Sequence, residues 1–381
     1  MNRLNNTSAR VEKARALMRS HNVGGLLLVN LGDGKGSNIR YLSGFTGSTS
    51  VCLLTPEAKV LKTDYRYQLQ ARQESAGWDV RWEGGYLINE LSDLIKEFVP
   101  KRLGILGGEI TLEKANEFRV GIPEVEFVAL PNIVREIRAV KDIEEVSTIR
   151  KAVRLMEEVL QELWGMVQPG VTTDCDLATA LKIKLIQRGS GVSFAPIILS
   201  GSDSAFIHGD PFKLRKEREL NGISPAEKVI QRGDIIQFDV GCLVDGYASD
   251  ISRAVVVGRA TDEQKKVHTA LLEVIRATAA YYRKDVLAKK AQEEADRILK
   301  MRGFGEKLAH GLGHGIGLEV HELPNTSKSQ NHIFQAGNIV SLEPGIYQEG
   351  FGGMRIERDV LVTEGDPEFL DELPTDLIEL Q

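Results

Sequence analysis

The sequence predicts an α/β domain followed by an α+β domain built on an internal repeat. Three observations carry this. Between Ser8 and Leu130, short apolar runs alternate with helix-like stretches, the pattern of strands joined through helices. Near Pro131 the character changes, as Asn132-Ile-Val-Arg-Glu-Ile-Arg138 leads into the charged Lys141-Asp142-Ile-Glu144-Glu145. Further on, Gly233-Asp-Ile-Ile-Gln-Phe-Asp239 and Gly337-Asn-Ile-Val-Ser-Leu-Glu343 share one pattern: Gly, polar, Ile, aliphatic, polar, large apolar, carboxylate. A first domain over 1–132, a linker over 133–142 and a second domain over 143–381 follow.

Taken in order, Ser8 to His21 reads as an amphipathic helix and Gly24 to Val29 as a buried strand. Gly32-Asp-Gly-Lys-Gly-Ser37 lacks the G-x-x-x-x-G-K-[ST] spacing of a phosphate-binding loop and reads as a surface loop. Val51–Leu54 and Lys59–Thr63 flank a turn containing Pro56, and a helix begins at Tyr67. Asp79–Trp82, Arg102–Leu106 and Val125–Leu130 supply further strands, with a helix over Leu87–Phe98 between the first two. Past the linker, Ile149, Val153, Met156, Val159 and Leu163 recur at helical spacing within Ile143–Met166 and would bury one face. Thr172 or Thr173 caps a helix over Asp174–Gln187, and two more helices span Asp262–Arg283 and Val286–Arg302.

Composition bounds the function. The chain has 381 residues, 42% of them hydrophobic, enough for about two domains of the usual ~100–200 residues. Lys plus Arg is 48 against 54 for Asp plus Glu, net −6, so no basic excess points to nucleic acid or an anionic membrane. No apolar stretch approaches the ~18 residues of a membrane span, and the first 22 residues lack a signal-peptide core. Cys52, Cys175 and Cys242 are few, odd in number and far apart, which fits reduced thiols in a cytoplasmic protein.

The repeat continues past its acids. Gly241 answers Gly345, Asp245-Gly-Tyr247 answers Glu349-Gly-Phe351, and each copy reaches a further acid, Asp250 or Glu357. Alternation in the first strand puts Ile235, Gln237 and Asp239 on one face and Ile236, Phe238 and Val240 on the other. A carboxylate in such apolar company is heavily desolvated unless hydrogen bonds or a cation compensate. Salt bridges to Arg253, Arg355 and Arg358 are one solution; for two matched hairpins delivering four acids, a shared cation site is the better one. The histidines point the same way. Six of seven lie beyond residue 200, and His310-Gly-Leu-Gly-His314-Gly-Ile-Gly-Leu-Glu-Val-His321-Glu322 gathers three in a Gly-rich run suited to a constrained turn lining a cavity. It does not have H-E-x-x-H spacing, which excludes a zincin helix. His21 and His268 read as structural and His332 as a surface residue.

In order, Asp239, Asp250, His314, Glu343 and Glu357 resemble the dinuclear metal ligands of the pita-bread metallopeptidases, the family of methionine aminopeptidase, aminopeptidase P and prolidase. Gly246-Tyr-x-x-Asp-Ile-Ser-Arg253, Gly313-His-Gly-Ile-Gly317, Leu342-Glu-Pro-Gly345 and Met354-Arg-Ile-Glu357 carry the likeness. Asn38 to Ser48 and Thr63 to Tyr67 are similar to the creatinase-type N-terminal domain of aminopeptidase P and prolidase, and Arg135 to Asp142 to its linker.

The resemblance implies a pita-bread catalytic domain with a pseudo-twofold repeat and curved antiparallel sheet, cleaving Xaa-Pro bonds in a proline-containing peptide or dipeptide as a homodimer. It implies that Asp250 and Glu357 bridge two divalent ions, that Asp239 chelates one, and that His314 and Glu343 complete the other. Oxygen-rich ligation favours Mn²⁺, with Co²⁺, Zn²⁺ or Fe²⁺ as alternatives; two such ions activate a bridging water and polarise the scissile carbonyl. His208 and His321 match histidines placed to hydrogen-bond the oxyanion or substrate, Glu343 to shuttle a proton, and Arg355 to fix a carboxylate or orient ligands; His310 stands behind them. The intact ligand set argues against two alternatives, a creatinase-related C–N hydrolase acting on a small non-peptide amide and a peptidase-like scaffold protein. The charged Asp210–Lys228 stretch departs from the family pattern and reads as a solvated loop or short helix near the site mouth.

Overall fold

The computed structural model describes residues 2–32, 36–83, 91–98, 101–224, 226–305 and 310–381, in two units, Met1–Arg138 and Ala139–Gln381. The loop read at 32–37 and the start of the helix read at 87–98 fall partly outside the described residues. Among those described, no helix is long and apolar enough to cross a membrane.

In the first unit the apolar runs become strands β1 (Gly25–Leu31), β2 (Thr49–Leu54), β3 (Lys59–Asp64), β4 (Asp79–Glu83), β5 (Arg102–Leu106) and β6 (Glu126–Leu130). They form one six-stranded mixed sheet, ordered β4-β3-β2-β1-β5-β6. Helices α1 (Asn2–Ser20), α2 (Ser37–Ser43), α3 (Gln68–Glu74), α4 (Leu91–Phe98) and α5 (Leu112–Gly121) accompany it. Central β1 is buried along Gly25–Asn30, as expected of a strand covered on both faces. The Asn38 and Arg138 motifs meet here: the Arg138 guanidinium donates to Asn38 Oδ1 at 2.8 Å, while Asn38 Nδ2 donates to Glu109 and to Asn132 Oδ1. Arg138 is nearly inaccessible, so its charge depends on this network. Arg138 lies in α6 (Ile133–Ala139), where the division between units falls.

The second unit opens with α7 (Ile143–Trp164), capped by a reciprocal Asp142/Glu145 box, and α8 (Asp174–Gln187), capped by Thr173 with Asp176. There follow β7 (Ile197–Ser200), α9 (Pro211–Leu220), β8 (Ile235–Val240), β9 (Leu243–Val244), β10 (Tyr247–Ala248), β11 (Ile251–Val257), α10 (Asp262–Ala279) and α11 (Lys289–Met301). The remainder is strand: β12 (His314–Gly315), β13 (Glu322–Asn325), β14 (Ile339–Leu342), β15 (Gly345–Gln348), β16 (Gly352–Arg355), β17 (Arg358–Leu361), β18 (Glu368–Phe369) and β19 (Ile378–Leu380).

The repeat is visible in the pairing. Antiparallel β8/β11 sets Asp239 opposite Ser252, as antiparallel β14/β17 sets Ser341 opposite Asp359. Each copy then turns back in a small hairpin, β9/β10 and β15/β16. The first turns at Asp245-Gly246, both in the left-handed region (φ 46° and 74°), as a two-residue hairpin loop requires. The two main sheets are ordered β19-β11-β8-β7 and β13-β12-β14-β17-β18. Their pairs are antiparallel, as expected, with one parallel edge where β19 joins β11. Both faces of β8 are buried: Ile236, Phe238 and Val240 join a core with α7 and α8, and Ile235 joins a second core with α10 and α11.

Candidate active site

Backbone geometry brings the acids together. Asp250 stands just before β11 and Glu357 just before β17, and the Glu357 N–H donates to the Ser252 carbonyl at 3.0 Å, joining the two copies of the repeat. The Asp250 N–H donates to Asp359 Oδ2 at 3.3 Å. His314 enters from β12, its N–H donating to Ser341 Oγ at 3.1 Å, and the Glu343 N–H donates to the Leu312 carbonyl at 2.9 Å. A Cβ on Gly313 would overlap the Ser341 carbonyl oxygen, so glycine is what permits this approach.

Ligand atoms of Asp250, His314 and Glu357 all lie within 4.8 Å of one another. His314 Nε2 is 3.8 Å from Asp250 Oδ2 and 3.5 Å from Glu343 Oε1. These residues, with Asp239, His208, His310, His321 and Arg355, line one cavity of about 430 Å³. The structure therefore gathers the five ligand candidates and the three further candidates around a single space. Asp239 differs from the others, because Arg355 holds its Oδ2. Of the three arginines offered as salt-bridge partners, Arg253 and Arg358 pair instead with Asp371.

The electrostatics fit a cation. Asp250 and Glu357 are driven well above the carboxylate range, first by burial and then by neighbouring acids, Glu357 for Asp250 and Glu343 for Glu357. Burial, against the opposing pull of Arg355, lifts Glu343 to about 7. Burial, then His321, lowers His314 to about 3, keeping its imidazole neutral. Its Nδ1 faces the Gly315 carbonyl at 3.1 Å, which assigns the proton to Nδ1 and turns the Nε2 lone pair toward the acids. Buried Asp250 Oδ1 and Glu357 Oε1 have no hydrogen-bond partner among the described residues. Lone pairs converge here without enough donors, the arrangement a divalent ion satisfies.

Sequence reasoning missed several supporting groups. Ser252 Oγ donates to Glu357 Oε2 at 2.7 Å and receives Arg355 Nε at 2.9 Å. Tyr347 Oη receives Arg355 Nη1 at 2.5 Å and meets His310 Nε2 at 3.0 Å, while burial lowers His310 to about 4. Asp359, fully buried, is raised first by burial and then by Glu357. Ser252 lies inside a quoted motif and Asp359 follows one, but only the cross-strand registers reveal their reach. His321 sits edge-on to His314, ring centroids 4.2 Å apart; it and His208 are exposed at the cavity. His268 is buried, and burial lowers it to about 4, as a structural histidine would be. His332, expected at the surface, is half-buried because its Nδ1 accepts the Asn325 N–H at 3.0 Å.

Known proteins share this architecture. The family described as "Metallopeptidase family M24" matches residues 147–364, and "Creatinase/Prolidase N-terminal domain" matches residues 10–140. A peptidase of Bacillus subtilis, YqhT, is 29% identical over 97% of this chain and 99% of its own length. The structure of an Xaa-Pro dipeptidase from Bacillus anthracis superposes with a TM-score of 0.89 at 28% identity, covering 98% of this chain and 100% of that one. An X-Pro aminopeptidase from Thermotoga maritima reaches a TM-score of 0.85 at 31% identity, covering 97% and 99%.

Proposed function

The chain belongs to metallopeptidase family M24, and we propose that it hydrolyses Xaa-Pro peptide bonds with two divalent ions held by Asp239, Asp250, His314, Glu343 and Glu357. The observation that carries the reading is the set of buried, unpartnered carboxylate oxygens of Asp250 and Glu357 within ligand distance of a neutral His314. Dipeptidase and aminopeptidase relatives acting before proline support the bond specificity. Four carboxylates to one imidazole favour Mn²⁺, with Co²⁺, Zn²⁺ or Fe²⁺ as alternatives.

When bound, such ions supply Lewis acidity and an activated water. The protein's own groups do the rest. His208 and His321, exposed at the cavity, donate hydrogen bonds to the oxyanion that forms as the carbonyl is attacked, a contribution of about 10²–10³ in rate per donor. Glu343, which lines the cavity, takes a proton and returns it to the proline nitrogen, a poor leaving group unless protonated. Arg355 holds Asp239 while bonded to Ser252 and Tyr347, so its role is to position that carboxylate.

Three buried, unpaired cysteines support a cytoplasmic setting; assembly as a homodimer rests on the family resemblance. The test is hydrolysis of matched Xaa-Pro and Xaa-Ala peptides by Mn²⁺-loaded protein. Cleavage confined to the Xaa-Pro series is the expected result, and equal or absent cleavage of both contradicts the reading.

A further inference from the structure

The charged stretch after His208 is the part of the catalytic unit that the ligand constellation leaves unused. Its first half is α9, and the helix is firmly fastened. Asp210 caps it, accepting the N–H groups of Phe212 and Lys213 at 2.9 and 3.3 Å. Arg218 pairs with buried Asp203, and Arg215 pairs with Glu219 at 2.9 Å and Glu227 at 2.8 Å. Phe212 packs against the unit's core, beneath the Lys182 ammonium at 4.5 Å.

Lys213 is the exception. It lines the same cavity as Asp250 and Glu357, its side chain is exposed, and its ammonium has no hydrogen-bond or ion-pair partner among the described residues. Arg355, the other lysine or arginine lining this cavity among the described residues, is committed to Asp239, Ser252 and Tyr347. Among the described residues, the cavity thus presents one cation without a partner, borne on α9.

A group that complements it must be anionic and must lie away from the scissile bond. In an Xaa-Pro dipeptide that group is the proline carboxylate, which loses hydration on entering the cavity and needs a cation to compensate. In a longer peptide the same position is a neutral amide. We infer that Lys213 is a specificity-determining residue that receives the C-terminal carboxylate of the substrate's proline, so that α9 biases the site toward substrates ending there. This rests on the Xaa-Pro reading above.

The test uses the full-length, Mn²⁺-loaded protein as wild type, Lys213→Ala and Lys213→Arg, each assayed on one Xaa-Pro dipeptide and on its C-terminal amide. For Lys213→Ala we expect KM for the dipeptide to rise about ten-fold with kcat nearly unchanged, the signature of lost uniform binding. KM for the amide should not move, and Lys213→Arg should restore most of the dipeptide affinity. Equal changes on both substrates, or none on either, overturn the assignment to Lys213 while leaving Xaa-Pro hydrolysis standing. Failure of the wild type to cleave either substrate overturns the Xaa-Pro reading and this inference with it.

Discussion

Two buried acidic clusters share the strands of the catalytic unit, and they are neutralised in opposite ways. At Asp371 arginines match the acids: Arg253 from β11 reaches it at 2.5 Å and Arg358 from β17 at 2.9 Å, with Glu157 beside Arg253. At the candidate metal site the anions are in excess: Asp250, Glu343, Glu357 and Asp359 crowd together, and Arg355 is engaged by Asp239. Adjacent residues feed the two places, since Glu357 serves one and Arg358 the other, as the alternation of an extended chain dictates. A salt bridge completes the first during folding. The second is left incomplete, with buried oxygens that no donor among the described residues reaches, and burial this costly without a partner points to a ligand that arrives from solution.

The contrast can be broken at either end. The largest effect belongs to Asp250→Asn and Glu357→Gln, which remove charge from the incomplete cluster. Each should abolish most metal binding and lower kcat by about 10³-fold, the several kcal/mol a metal ion contributes. Without metal, either variant should melt at or above the wild-type temperature, because a mutually repelling acid is gone; calorimetry with and without Mn²⁺ checks this. Asp371→Asn should do the reverse. It leaves the buried Arg253 guanidinium and the half-buried Arg358 short of a counter-charge and should destabilise the fold by roughly 3–5 kcal/mol, with metal stoichiometry unchanged, as read by denaturant titration.

A smaller effect tests the energetics of burial away from both clusters. Asp174 accepts the Ser200 N–H at 3.0 Å, has no partner for Oδ1 among the described residues, and is lifted by burial to about 7. A raised carboxyl pKa means the folded state holds the proton more tightly, so this group's stability contribution is full at acid pH and is lost as pH rises from about 4 to 7. Asp174→Asn should remove that slope and make the variant relatively more stable at pH 8 than at pH 4 by up to about 4 kcal/mol. Melting temperatures across that range provide the readout, and activity should not change.

How much of this the sequence disclosed depends on the range of each interaction. The helices over 143–164 and 174–187 were legible because apolar spacing and caps are local signals, and Asp174–Gln187 matches its expected bounds. The β8 and β14 strands and their acids were legible because the pattern occurs twice. The charged stretch was harder to place, since α9 is polar almost all round and its anchors, Asp203 and Phe212's core contacts, lie outside its own periodicity. Least legible was the fate of the arginines. Nothing near Arg253 points to Asp371 in particular, and Ser252, Asp359 and Tyr347 gain their positions only once the strands are in register.

The central claim is that the incomplete cluster is a two-cation site. Calorimetric titration of metal-stripped wild-type protein with Mn²⁺ tests it most directly. Two equivalents should bind, more weakly as pH falls below about 7 because protons compete at Glu343 and its neighbours. Less than one equivalent at neutral pH, or binding that Asp250→Asn leaves intact, would contradict it.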